Sequence, residues 1–287
     1  MSRSVAAEAA KETDRDRPKN GTRSRYLSFV VVSYFAVVFS LICISSFLQK
    51  SPTVDEPIHL FSGYSYLKWG DFRANPEHPP FAKMWAALPL LLFDIKDSVQ
   101  GNPLWELIPE SSIPYPTQDL SRDLLAIEND GETLFFYAKL QMIALGILLG
   151  AFVYLWSKEL FGIEAAVAAL FIFVLDPNIL AHSQIVHTDL PFTAFFFIAT
   201  YFFRRALGRL TWADFILTCL FFALAAITKY SYPVILLAWF MLGLAKILST
   251  EPYRCAIGMP ETIVWMEWTR RSAPQAWMFS IWQLRNR

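Results

Sequence analysis

Charge is scarce in this sequence. Only 17% of the 287 residues are Asp, Glu, Lys or Arg, against roughly 25% in an average soluble domain. Twenty-five basic side chains meet twenty-five acidic ones, which excludes the bulk electrostatic footprint of a nucleic-acid binder. Cysteine is rarer still. The three present, Cys43, Cys219 and Cys255, exclude a disulfide-stapled secreted module. There is no glycine-rich phosphate loop, CxxC pair, HExxH or internal repeat. What is abundant is apolar surface, 55% of residues with 46 aromatics among them. That is incompatible with intrinsic disorder and with an ordinary soluble globule. A membrane protein is the class that remains.

The charges balance overall but not locally. Residues 1–25 hold seven Lys/Arg against four acids, without apolar periodicity, and read as a disordered basic arm. Residues 26–48 then run without a charge, long enough to cross about 30 Å of hydrocarbon as a helix and too long for the core of a cleaved signal. Further apolar segments follow at 134–156, 164–180, 190–203, 215–228 and 232–248. The expectation is an all-α integral membrane protein with about six transmembrane helices, multi-pass in the cell membrane. Starting inside, the alternation leaves Lys158, Arg204, Arg205 and Arg209 in cytoplasmic loops and 176–189, free of Lys and Arg, outside. The organisation expected is an arm over 1–25, a transmembrane domain over 26–248 and a cytoplasmic tail over 249–287. No cysteine falls in an outer loop.

The connection 49–133 is too long for a turn, carries thirteen acids against six bases, and lies on the outer side. In it Asp55-Glu56-Pro57 opens a helical pattern, since acids and proline both suit a helix N-terminus. Leu60, Phe61, Tyr64 and Leu67 recur at helical spacing, which predicts a helix lying along the membrane surface and ending at Gly70-Asp71. Asn75-Pro76-Glu77-His78-Pro79-Pro80 then gives an extended entry to a second interfacial helix over 80–93.

Those pieces carry a resemblance. Asp55-Glu56-Pro57 after the first span, then Gly70-Asp71-Phe72 and Asn75-Pro76-Glu77-His78-Pro79-Pro80-Phe81-Ala82-Lys83, resemble the GT-C type membrane glycosyltransferases. The chain is similar in particular to the protein O-mannosyltransferase and aminoarabinose transferase superfamily (family 39-like). Tyr137-Ala138-Lys139-Leu140, Thr188-Asp189-Leu190-Pro191 and Leu224-Ala225-Ala226-Ile227-Thr228-Lys229 match further family motifs. The resemblance covers about 26–248. It implies transfer of one sugar from a polyprenyl-phosphate donor to a hydroxyl of a protein, lipid or glycan acceptor at the extracytoplasmic face, with inversion.

Such a reaction needs a carboxylate to take the acceptor's proton and cations to steady the departing phosphate. The resemblance assigns Asp55, Glu56 and Asp189 to catalysis, and Glu77, His78, Lys139 and Lys229 to substrate. Glu77 and His187 are its candidates for a divalent metal ion, with Arg73 and Lys83 as further phosphate candidates. His182 lies near that loop without a well-formed ligand spacing. Each has a plainer reading. Asp55 and Asp189 suit helix caps, Glu77-His78 a solvated turn, and the two lysines snorkelling to headgroups. Lys139 stands where the family usually has Arg, which changes the phosphate geometry on offer. The family's chains are commonly about twice this length, so an incomplete transferase with low or absent activity in isolation is expected. A truncated, non-catalytic membrane scaffold is the alternative, and a small transporter ranks third.

Overall fold

The computed structural model describes residues 19–108 and 115–248, and the backbone of 253–257, 264–270 and 277–283. The charge-free run forms α1, Lys19–Phe47. Its start lies inside the arm expected to be disordered, so 19–25 are helical. Once a helix is nucleated, each added residue gains a hydrogen bond at little further cost, and the ladder extends past the apolar run. The rest of the arm, 1–18, lies outside the described residues. Tyr26, Phe29, Tyr34, Val37 and Leu41 all point away from the protein. Such a surface is stable only against lipid.

The long connection between α1 and the next long helix folds into a lobe of α2 (Glu56–Trp69), α3 (Phe81–Ala87, continued by a 3-10 turn Leu88–Leu92), α4 (Pro103–Leu107) and α5 (Tyr115–Arg122). The helix expected to float on the membrane is instead enclosed. Ten of the 14 residues of α2 are buried, including Ser62, Gly63 and Ser65 on the face opposite the apolar stripe. Gly63 permits this, because a Cβ there would sit 2.0 Å from the Lys83 carbonyl oxygen of α3. The two backbones are in contact, and alanine has no room. Gly70 ends α2 at φ +67, a left-handed turn that side chains disfavour. Around α2 a core forms from Leu60, Phe61, Leu90, Trp105, Leu124 and Met142.

Met142 belongs to α6, Gly131–Phe161, the second long apolar helix. The lobe is fastened to it by the Trp85 indole, which donates to the Gln141 carbonyl at 2.9 Å. Phe39 and Cys43 of α1 pack with Ile143 and Leu149 of α6 and with Leu170 and Phe173 of α7, Ile163–Leu175. The chain then bends by 62° into α8, Pro177–Ser183. Asp176 precedes proline with ψ 121, and its carboxylate accepts from the Asn178 and Ile179 amides at 2.9 Å. Helices α9 (Asp189–Gly208), α10 (Trp212–Ala226) and α11 (Pro233–Leu248) complete the helical body.

Among the described residues, two helices, α1 and α6, are long and apolar enough to cross a membrane, or three spans if the bent α7–α8 pair counts as one. The other apolar helices of the expected six are shorter or fall below that measure. The helical class holds for this body, and the departure from it is a small sheet. Strand β1 (Arg209–Leu210) pairs in parallel with β2 (Tyr253–Ile257), and β2, β3 (Val264–Arg270) and β4 (Trp277–Gln283) form an antiparallel meander. Aromatic and β-branched residues enriched in the tail favour a pleated backbone. The sheet also ties the tail to the end of the molecule that carries Arg204, Arg205 and Arg209.

Candidate active site

Asp55 is the N-cap residue of α2, yet its carboxylate makes no capping hydrogen bond and stays exposed. The neighbouring carboxylate has the opposite environment. Glu56 is 1% exposed. Its Oε1 accepts from the Thr53 amide at 2.8 Å, reaching back across its own helix start. Its Oε2 accepts from the Val186 amide at 3.1 Å and faces the Lys139 ammonium at 3.4 Å. One acid is therefore free and the other is fully engaged.

One turn after Asp55 comes His59, 5% exposed. Its ring meets the edge of His187 at 5.2 Å and stacks on His78 at 6.3 Å between centroids. Burial, with His187 and Lys83 nearby, pushes His59 down to about 3, so the imidazole is neutral at physiological pH. His78 is lowered in the same way, by burial and then by Lys229 and Lys83. Sequence reasoning missed His59. Its signal is modest, an i to i+4 spacing from Asp55 that puts both on one helix face.

The turn carrying Glu77-His78 is held from beneath by Lys83. That side chain is 1% exposed, and its Nζ donates to the Asn75 carbonyl, to Asn75 Oδ1 at 2.9 Å and to the His78 carbonyl at 2.8 Å. Three acceptors match the three hydrogens of an ammonium, while burial lowers its pKa to about 7. Lys83 is thus a brace within the lobe rather than a phosphate contact. The Phe81 amide donates to the Ile227 carbonyl at 3.0 Å, which draws the α10–α11 loop and Lys229 against the same turn.

Asp189 opens α9. Its Oδ2 lies 3.0 Å from His187 Nδ1, and its Oδ1 contacts the Lys229 ammonium. A cavity of about 370 Å³ is lined by Asp55, His59, Arg73, Asn75, Glu77, His78 and His187. Of the residues singled out from sequence, Asp55, Arg73, Glu77, His78 and His187 meet there. The Asp189–Lys229 pair stands behind His187. The Glu56–Lys139 pair is buried to one side, with Lys139 also bordering a second cavity of about 670 Å³ where α1 ends and α6 begins. His182 lies on α8, outside the cavity lining. Among the described residues, no three His, Cys, Asp or Glu side chains converge to hold a metal ion. Glu77 and His187, the pair expected at a divalent ion, both line the cavity.

With this geometry in hand, a sequence profile described as dolichyl-phosphate-mannose-protein mannosyltransferase matches residues 130–281. The matched stretch holds Lys139, His187, Asp189 and Lys229 and begins after Asp55, Glu56, Glu77 and His78. No curated protein and no solved structure matches the chain.

Proposed function

The chain belongs to the dolichyl-phosphate-mannose-protein mannosyltransferase family, a family of polyprenyl-phosphate-sugar glycosyltransferases, and on that premise we propose that it moves a single sugar from such a donor to a protein hydroxyl at the extracytoplasmic membrane face, inverting the anomeric centre. The observation that carries this reading is Asp55, an exposed carboxylate without a capping bond at the edge of a polar cavity. A hydroxyl is a poor nucleophile until its proton has somewhere to go. In the proposed step Asp55 takes that proton as the hydroxyl oxygen bonds to the anomeric carbon. The bond from that carbon to the phosphate oxygen breaks, and its electron pair leaves with the polyprenyl phosphate. Lys229 steadies that phosphate from beside Asp189 and His187, with Glu77 and His78 at the donor's sugar end. Glu56 and Lys139 act through position, since each is closed in by the other. A phosphate leaving group needs charge stabilisation rather than protonation, and no step here requires a metal ion.

Membranes containing the chain, incubated with a panel of radiolabelled polyprenyl-phosphate sugars, are expected to transfer label to protein from one donor. Transfer from nucleotide sugars in place of every lipid-linked one would remove the reading.

The proposed topology has six spans, with the N-terminus and the tail in the cytoplasm and the lobe outside. A cysteine at Gly101, where a Cβ meets nothing within 4 Å, should be labelled in intact cells by a membrane-impermeant maleimide, in a background with the native cysteines replaced by serine. Labelling only after the membrane is opened would invert the topology.

A further inference from the structure

The step just described leaves His59 without a task, although it is a buried side chain, 5% exposed, lining the cavity. Nδ1 of His59 and Nδ1 of His78 are both shut away from solvent without a hydrogen-bond partner. A neutral imidazole carries one N–H and one lone pair. Orphaned buried N–H groups are rarer than orphaned acceptors, so the hydrogen belongs on Nε2 and the bare lone pair on Nδ1. Each ring then carries a single uncharged N–H donor, and both rings line the cavity. The carboxylates of Asp55 and Glu77 line the same cavity. The one lining cation, Arg73, is already claimed by Asp71, to which its Nε donates at 3.1 and 2.9 Å.

Free acceptor charge with neutral donors suits some ligands and repels others. A phosphate only accepts hydrogen bonds and carries negative charge, so it meets a surplus of its own sign. A sugar ring carries hydroxyls that donate to carboxylates and accept from N–H groups. At about 370 Å³ the cavity is at the small end of the roughly 300–1,000 Å³ typical of small-molecule sites, enough for a sugar and not for a lipid. We propose that this cavity is the sugar subsite, and that His59, backed by its stack on His78, binds a hydroxyl of the donor's sugar and helps decide which sugar is accepted. The phosphate then lies outside it, toward Lys229. This rests on the reading of the chain as a lipid-linked sugar transferase.

The test is equilibrium binding to the purified full chain in lipid nanodiscs, with two probes. One is the polyprenyl-phosphate sugar that binds most tightly from the panel, and the other is the same polyprenyl phosphate without sugar. His59→Phe keeps the ring and its packing but removes the donor, while His59→Gln returns an amide N–H near the Nε2 position. Loss of one hydrogen bond in a dry site is worth roughly tenfold in affinity. The expected result is about tenfold weaker binding of the sugar-bearing probe by His59→Phe, partial recovery in His59→Gln, and unchanged binding of the bare phosphate. Equal weakening of both probes would make His59 a phosphate ligand and overturn the proposal. So would no change in either, or a wild-type chain that binds the two equally. A wild-type chain that binds the sugar-bearing probe through His59 but transfers nothing would leave this subsite standing and defeat the transferase reading.

Discussion

Asp55→Asn is expected to lower turnover by at least two decades while donor binding stays within a factor of two or so of wild type. General-base assistance is worth roughly 10²–10⁴-fold, about 3–5 kcal/mol of barrier. Asparagine has the shape of aspartate and cannot take a proton at neutral pH. Because the Asp55 carboxylate makes no capping hydrogen bond, the helix start loses only a weak interaction with its dipole, about 0.3–1 kcal/mol, and folding should be unaffected. Single-turnover transfer and donor binding, measured on the same preparation, check both halves. If turnover survives, or falls only in step with binding, the proton acceptor lies elsewhere. Asp189 with His187 at 3.0 Å is then the first place to look.

Glu56→Gln should act by another route, through stability. It leaves the Lys139 ammonium, 5% exposed at its side chain, without a counter-charge. Breaking a buried ion pair by removing one partner typically costs about 3–5 kcal/mol. The variant should therefore unfold well below wild type in a thermal scan in detergent, and should transfer sugar poorly. Adding Lys139→Met removes the stranded cation, so the double variant should regain at least half of the lost stability. Turnover should stay low, because the charged acceptor for the Val186 amide is still missing beside His187. A single variant that melts like wild type would show that the pair contributes nothing.

Much of the helical body was legible because a run without charges, long enough to span hydrocarbon, has few alternatives. Asp55, Glu77, His78 and Asp189 were legible as motif residues next to helix starts and prolines. The enclosure of α2 was not. The stripe of Leu60, Phe61 and Tyr64 is real, but periodicity cannot say whether lipid or protein covers it. Ser62, Gly63 and Ser65 are buried as well, and Gly63 lets α3 approach. His59 escaped for a related reason. A single histidine on a helix has no meaning until His78 and His187 arrive from other segments.

The carboxylate of Glu56 joins positions 53, 139 and 186, and these leave the ribosome in that order. When the first membrane helix and the lobe have been made, only the Thr53 contact exists. Lys139 comes with the second long helix, and the Val186 amide only after the bent α7–α8 segment has been inserted. Until then Glu56 is an ordinary hydrated acid on an unfinished surface, and His59 lacks the ring of His187. The cavity is thus a late product of synthesis, completed by a segment that follows both long helices. A nascent chain released before residue 186 has the free acid at Asp55 but not the enclosure that gives it a substrate.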